Sequence, residues 1–315
     1  MLDSPQARAT ATAPARAAGT LSPPLAATGQ AGRQEAVASA LRRLAGAVIA
    51  PLRRIDARLF QIVFLGTLLL FGALVRDFAL EWEQVALTFA AGLATQAFWI
   101  GALDLKRVGY LSAVVTCLGT SILVRADSDW VHPLLAALAM SSKFVIRIRG
   151  KHLYNPANLA VMLAIIAVPG AWASPGQWGS DVLIGLWFVA LGVTVTTSAR
   201  RLDIAWAFLA CYAGLLAGRM LILGQGEAVL IHQLGSGVLL LFTFFMISDP
   251  MTTPNRRSMR FLYAAMVAVL AFAWQYLLFK PHGLIWALFI LTPLVPLIDW
   301  LLPGSKHAWK PPAKP

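Results

Sequence analysis

Ten apolar stretches follow one another along most of this chain, and its basic residues lie in alternate gaps between them. A bilayer core of roughly 30 Å needs about 20 apolar helical residues to cross it, and only helices or closed barrels satisfy their backbone groups there. The stretches have helical length and lack the alternation of strands. The sequence therefore predicts an all-α integral membrane protein with about ten transmembrane helices. The predicted spans are 60–76, 84–103, 109–125, 131–148, 156–173, 181–198, 204–222, 231–248, 259–278 and 283–301.

The distribution of Lys and Arg predicts the orientation of the chain. Cytoplasmic loops accumulate these residues, whereas translocated loops do not. With the N-terminus inside, all of the 26 Lys and Arg residues except Arg76, Arg125, Arg219 and Lys280 fall on the inner side. We therefore expect a multi-pass protein of a bacterial inner (plasma) membrane with both termini in the cytoplasm. Membrane lipids with anionic headgroups account for the net charge of +12, and nucleic-acid binding is not expected, because the cations flank spans instead of forming a basic face.

The composition divides the chain into four parts. Residues 1–45 have almost no large apolar side chains and predict a disordered cytoplasmic tail. Residues 46–59 are a basic juxtamembrane segment, which either lies along the inner headgroups or is an ordinary basic flank of the first span. Residues 60–301 form the polytopic membrane domain, and 302–315 form a second cytoplasmic tail. Cys117 and Cys211 lie in predicted spans without a CxxC pattern, which favours packing over a metal or cluster site.

A first polar segment closes the fourth predicted span and opens the fifth. It holds the basic residues Lys143, Arg147, Arg149, Lys151 and His152, followed by Asn155, Pro156 and Asn158. Asn155 is typical of a helix N-cap, and proline is favoured in the first helical turn. A helix N-terminus beside so many cations is either an anion site, with phosphate as the expected guest, or simply a capped helix with positive-inside residues.

A second polar segment ends the eighth predicted span with Ser248, Asp249 and Pro250, followed by Thr252 and Thr253. Two prolines and two threonines within a few residues are typical of an ordered turn. Asp249 either caps the following turn, pairs with Arg256, or coordinates a ligand or cation.

At these two segments the chain resembles the RnfD/NqrB family, the membrane subunits of Rnf and sodium-pumping NADH:quinone oxidoreductase complexes. The resemblance rests on Asn155-Pro156-Ala157 after a basic loop, and on Phe245-Met246-Ile247-Ser248-Asp249-Pro250 followed by Thr252, Thr253 and Pro254. It implies two related halves, at about 60–173 and 181–301, and a flavin-bearing electron carrier with redox partner subunits. Family members of this type carry FMN on a threonine in a [ST]GA[ST]-like sequence.

No [ST]GA[ST] sequence occurs among the 315 residues. We therefore expect FMN or riboflavin, bound noncovalently, in a non-catalytic subunit of an oxidoreductase complex, with no catalytic residues or metal ligands of its own. The alternatives are a permease or channel for a small solute or a flavin, and a scaffold subunit. The expected cofactor-binding residues are Lys143, Arg147, Lys151, Asn155, Pro156, Asn158, Ser248, Asp249, Thr252 and Thr253.

Overall fold

The structure, a computed structural model, describes residues 39–40, 43, 55–75, 80–106, 108–174 and 182–305, without the side chains of 182–184. The chain divides into two compact units, Met1–Val48 and Ile49–Pro315, and the elements below belong to the second unit. The predictions for the tail 1–45, for the juxtamembrane segment 46–59 and for the tail 302–315 fall almost entirely on residues outside this described part.

The described part of the second unit is built from helices and a few very short strands. In chain order they are α1 (Ala57–Val75), α2 (Trp82–Ala102), α3 (Leu111–Leu123), β1 (Val124–Ala126), α4 (Val131–Val145), β2 (Arg147–Ile148), β3 (Lys151–His152), α5 (Pro156–Ala167), β4 (Ala171–Ala173), α6 (Val182–Ser198), α7 (Leu202–Leu223), α8 (Glu227–Leu234), α9 (Gly237–Leu241), α10 (Arg257–Phe272), α11 (Gly283–Leu291) and α12 (Leu294–Leu301). A π-helical turn continues α9 over Phe242–Met246, and another continues α10 over Ala273–Leu277.

Each of the ten predicted spans coincides with a helix or with a bent pair of helices, but not all of these helices have transmembrane length. Four are long and apolar enough to cross a membrane: α1, α2, α7, and α10 with its π turn. Two bent pairs, α8 with α9 and its π turn and α11 with α12, raise the number to six. The remaining apolar helices have only 10–17 residues. Four to six spans are thus supported by length and composition, and ten are not confirmed.

The expectation of a purely α-helical domain was incomplete, because short strands lie next to the ends of α3, α4 and α5. Strand β1 pairs antiparallel with β4, and β2 pairs antiparallel with β3. The third predicted span, 109–125, ends in β1 instead of in helix. The short helices leave backbone N–H and C=O groups at their ends, and these groups need partners when they are withdrawn from water.

The helices form two groups of five segments. The first group is α1, α2, α3, α4 and α5, and the second is α6, α7, the bent pair α8–α9, α10 and the bent pair α11–α12. Equivalent segments of the two groups pack on equivalent partners. In the first group α2 packs most extensively on α4, and in the second group α7 packs most extensively on α10. Three further contacts recur in both groups when each bent pair is counted as one segment. The first segment packs on the third, the second on the third, and the fourth on the fifth. The groups meet through equivalent segments, α1 on α6 and α5 on α11. This arrangement has the form of an internal structural repeat.

Two loops show the same correspondence in detail. The chain that follows the fifth segment of each group packs against the loop between that group's third and fourth segments. A Cβ on Gly170 would lie 2.6 Å from Asp127 Oδ2, and a Cβ on Gly304 would lie 2.6 Å from the backbone nitrogen of Arg256. At Gly304 the added atom would meet backbone, so the chains approach too closely for any side chain. At Gly170 it would meet only the end of the Asp127 side chain, and the positive φ of 73° is the stronger reason for glycine.

Aromatic rings fill the contact between the first segments of the two groups. Phe64 of α1 stacks on Phe245 of the π turn, with ring centroids 4.3 Å apart, and also contacts Trp187 of α6 at 4.9 Å. Phe244, the next residue of the turn, packs so closely on α6 that a Cβ on Gly192 would lie 2.4 Å from its ring. The π turn that leads into Asp249 is therefore held from both sides.

We predict that Gly192→Ala destabilises the protein, because the new methyl group overlaps Phe244. Overpacking of this kind costs about 1–3 kcal/mol. The matched control is Gly66→Ala in α1, where nothing lies within 4 Å of the added Cβ, and where alanine favours the helix. Melting of the two variants in detergent measures the difference. Equal melting temperatures would contradict the close packing on Gly192.

Candidate functional site

The two polar segments, nearly 100 residues apart in the sequence, meet in the structure. Asn155 Nδ2 donates to Asp249 Oδ2 at 3.2 Å, and His152 Nε2 lies 3.4 Å from the same oxygen. We call the set Lys151, His152, Asn155, Asp249, Thr253, Asn255 and Asp299 the polar cluster. It joins the first group of helices to the second.

A tight hairpin brings the first segment to the cluster. Strands β2 and β3 are joined by Arg149 and Gly150, whose φ angles are 55° and 89°. Two successive residues with positive φ are typical of the type I′ turn of two-residue hairpins. Arg147 donates to the carbonyl oxygen of Gly150 at 2.7 Å, which stabilises this turn. The hairpin thus fixes the backbone of Lys151 and His152.

Asn155 has two roles. Its Oδ1 accepts a hydrogen bond from the backbone N–H of Asn158 at 3.1 Å, which caps α5, and Pro156 occupies the first turn. The sequence predicts this cap. The Nδ2 group of Asn155 is left to donate to Asp249, so the residue that begins α5 also binds the second segment. Asn158 is buried, and its Nδ2 lies 3.5 Å from the carbonyl oxygen of Ile285.

Asp249 is ordered by its own turn as well as by the hairpin. Its Oδ1 accepts from the backbone N–H of Met251 at 2.9 Å, and its carbonyl oxygen accepts from the hydroxyl of Thr253 at 3.1 Å. Burial alone raises the pKa of a carboxyl group. The hydrogen bond from His152, the one from Met251 and the charge of Lys151 outweigh burial and hold the pKa of Asp249 below its ordinary value. Asp249 is therefore a carboxylate at neutral pH.

Lys151 has three bonded partners in the cluster. Its Nζ donates to the carbonyl oxygen of Thr253 at 2.6 Å, to Asp299 Oδ2 at 3.1 Å and to Asn255 Oδ1 at 3.3 Å. Asp299 in turn accepts from the backbone N–H of Asn255 at 2.7 Å and from its Nδ2 at 2.8 Å. Burial lowers the pKa of Lys151, and the charge of Asp299 offsets part of that effect. One ammonium group thus connects β3, the loop after Asp249, and α12.

Two arginines of the second group also bind the loop that follows Asp249. Arg201 donates to Thr253 Oγ1 at 3.2 Å, and Arg260 donates to the carbonyl oxygen of Asn255 at 2.8 Å. Arg260 also forms a salt bridge with Asp203. These contacts come from the starts of α7 and α10, so together with Asp299 of α12 three elements of the second group fix the loop.

A cavity of about 430 Å³ lies beside the cluster, between the hairpin, the loop after Asp249 and α12. Its polar wall consists of Arg149, Lys151, His152, Thr252, Asn255 and Asp299. Its apolar wall consists of Ile148, Leu153, Met251, Val295 and Pro296, and Pro303 and Gly304 complete the lining. Small-molecule pockets commonly measure about 300–1,000 Å³ and combine apolar walls with a few polar groups. The cavity has the size and lining of such a pocket.

The structure distributes the ten residues predicted from the sequence among different positions. Asn155, Asp249 and Thr253 lie in the polar cluster, and Lys151 lies in the cluster and lines the cavity. Thr252 lines the cavity, while Pro156 and Asn158 serve mainly the start of α5.

Three of the predicted residues bind elsewhere. Lys143 donates to Ser112 Oγ at 2.9 Å, Arg147 supports the hairpin turn, and Ser248 donates to the carbonyl oxygen of Phe244 one turn earlier. The suggested pairing of Asp249 with Arg256 is wrong, because Arg256 is exposed and Asp249 binds the hairpin. Its predicted capping role is confirmed by the bond from Met251.

Besides Arg149, four residues of this site were absent from the predicted cofactor-binding set: His152, Arg201, Asn255 and Asp299. Asp299 carried a usable signal, since an acid near the end of an apolar span needs a partner. The other three are ordinary loop residues in sequence. Their positions depend on how the first and second helix groups pack, which no local pattern shows.

We predict that Lys151→Met lowers the melting temperature strongly, because Asp299 and the carbonyl oxygen of Thr253 lose a buried donor. Leaving buried acceptors unsatisfied costs about 1–3 kcal/mol. The control is Lys106→Met, since Lys106 and its partner Asp104 are both 82% exposed. Adding Asp299→Asn to Lys151→Met should cost less than the sum of the two single changes, because the residues interact. Strict additivity would show that the pair is not coupled.

Comparison with known proteins places the second group of helices in a family. No individual curated protein matches the chain. The sequence profile of the NQR2, RnfD, RnfE family matches residues 175–306. This stretch includes the segment around Asp249 but begins after the segment around Asn155. The match confirms the resemblance seen in the sequence. The chain is a multi-pass membrane protein, and its residues 175–306 match the NQR2, RnfD, RnfE family.

Proposed function

We propose that this protein is a membrane subunit of an electron-transport complex of the Rnf/NQR type, and that it binds FMN or riboflavin noncovalently. The observation that carries the proposal is the cavity of about 430 Å³ beside the family's Asp-Pro segment. Redox partner subunits supply the electron donor and acceptor in this proposal. The chain itself acts as a carrier subunit without catalytic residues.

The lining of the cavity fits a flavin. An isoalloxazine ring has apolar faces and a polar edge, and the cavity is lined both by apolar side chains, which include Met251 and Val295, and by hydrogen-bonding groups. We assign Thr252, Asn255 and Lys151 to the polar edge of the flavin, because these side chains line the cavity. A bound flavin would supply the electron exchange, while the protein supplies binding and orientation. The absence of a [ST]GA[ST] sequence supports noncovalent binding.

The polar cluster would keep this site rigid. Lys151 is already bonded to Thr253, Asn255 and Asp299, so the polar wall does not need to reorganise when a ligand enters. His152 lines the cavity and is oriented by Asp249. Preorganised side chains lower the entropic cost of binding.

A permease or channel for a small solute or a flavin is the second candidate. The bent pairs of helices, α8 with α9 and its π turn at 44° and α11 with α12 at 45°, favour it. Broken helices line the substrate sites of many transporters, and α12 contributes Val295, Pro296 and Asp299 to the cavity. Flux in liposomes without any redox activity would support this candidate over the first.

We predict that detergent-purified protein shows a flavin absorbance spectrum and releases the flavin into the supernatant on acid precipitation. Met251→Trp should abolish the bound flavin, because the larger side chain fills the cavity. The control, Met220→Trp in α7, changes a partly buried methionine that does not line the cavity and should retain it. Flavin that stays on the pellet would contradict noncovalent binding, and folded wild-type protein without flavin, even after added FMN or riboflavin, would contradict the cofactor.

We further propose that the protein lies in a bacterial inner membrane with its N-terminus in the cytoplasm. The Glu227→Cys variant, made without the native cysteines, should react with a membrane-impermeant maleimide in intact cells. The Arg256→Cys variant should react only after permeabilisation, because eight predicted spans precede it and an even number returns the chain to the inner side. Both parent residues are exposed. The opposite labelling pattern would reverse the orientation.

A further inference from the structure

The lining of the cavity includes the arginine side chain of Arg149, and this feature indicates the chemistry of the ligand. We infer that the ligand carries a phosphate ester that binds Arg149, with the apolar part of the ligand against Met251 and Val295. This inference rests on the proposed function, because it selects FMN over riboflavin as the noncovalent flavin. It goes beyond that function by assigning a role to a residue outside the family motifs.

Arg149 occupies a backbone conformation that arginine rarely adopts. Its φ is 55°, in the left-handed region of a type I′ turn, where asparagine, aspartate and glycine are preferred. The side chain is exposed and lines the cavity. A large side chain held in an unfavourable conformation, where a smaller residue would make a better turn, suggests a role for the guanidinium group itself.

The charges around the cavity also leave Arg149 available. Lys151 is paired with Asp299 at 3.1 Å, and His152 lies 3.4 Å from Asp249. Within the described residues, the Arg149 side chain has no hydrogen bond or ion pair. A guanidinium group presents a planar set of donors that matches phosphate oxygens, and charge-assisted bonds of this kind are among the strongest.

The buried side chain of Arg201 adds a further positive charge near the cavity. Arg201 is 5% exposed, and its bonded partners, Thr253 Oγ1 and the carbonyl oxygen of Arg200, are neutral. Arg201 also faces Arg260 and Asp203, which pair with each other, so Arg149, Lys151 and Arg201 are balanced by Asp249 and Asp299 with one positive charge in excess. A ligand with an anionic group would balance that charge.

A phosphate ester at this position has two sources, FMN and the headgroup of an anionic phospholipid. Basic pockets between helices at the cytoplasmic side of a membrane also bind such headgroups. The chemistry at Arg149 is the same in both cases. The rest of the ligand, a flavin ring or acyl chains, distinguishes them experimentally.

The test compares FMN with riboflavin, which lacks the phosphate, by fluorescence titration of detergent-purified protein. We expect FMN to bind at least about tenfold more tightly, because a charge-assisted contact is worth about 1.5–3 kcal/mol and 1.4 kcal/mol is tenfold. Arg149→Asn should weaken FMN binding and thereby remove this preference, and the protein should stay folded since asparagine keeps the type I′ turn. Arg257→Gln is the control, because it removes one exposed arginine that does not line the cavity, and it should keep the preference.

A second measurement separates the two sources of phosphate. The wild-type protein and the Arg149→Asn variant are purified from nanodiscs of phosphatidylglycerol or of phosphatidylcholine, and retained lipid is measured by native mass spectrometry. Retention of phosphatidylglycerol that depends on Arg149, without flavin binding, would support the phosphate site and assign it to lipid while the proposed function fails. Equal binding of FMN and riboflavin in wild type and variant would overturn the inference and leave the proposed function intact. Neither flavin binding nor Arg149-dependent lipid retention would overturn both.

Discussion

The pairing of the Lys151 ammonium with Asp299 and Asn255 is the interaction on which the arrangement of the site depends. A charge withdrawn from water is stable only when opposite charge and hydrogen bonds replace its hydration. Lys151 belongs to the first group of helices, whereas its three partners belong to the second. The two groups cannot separate at this point without exposing both charges or leaving them unpaired. Asn155 and His152 reinforce the same connection through Asp249.

Short helices determine where this connection is made. Helix α5 has 12 residues and therefore spans about 18 Å, well short of a bilayer core. The chain before it folds into the β2–β3 hairpin and the chain after it forms β4, so that backbone groups beyond the helix ends pair with one another. The hairpin carries Arg149, Lys151 and His152 to the wall of the cavity.

The π turn of Phe242–Met246 makes a corresponding contribution from the second group. Its rings are packed between α1 and α6, with Phe245 on Phe64 and Phe244 on Gly192. Asp249 follows this turn directly and is further ordered by its bonds to Met251 and Thr253. The family match covers this half of the site, while the hairpin half lies outside the matched residues. The proposed ligand site thus joins a segment recognised by its sequence to one whose role is visible only through its contacts.

The sequence by itself determined the positions of the apolar helices, the cap formed by Asn155 and Pro156, the two polar segments and the family. These features depend on local periodicity, on the chemistry of single turns, or on a short motif. It did not determine how many helices have transmembrane length, because a strand such as β1 continues an apolar run without any change in composition. Only the tertiary structure decided that Lys151 binds Asp299, that His152 and Asn155 meet Asp249, and that Arg149 lines a cavity. Those contacts join residues about 95 to 150 positions apart, and their partners are fixed by the packing of ten segments rather than by the residues themselves.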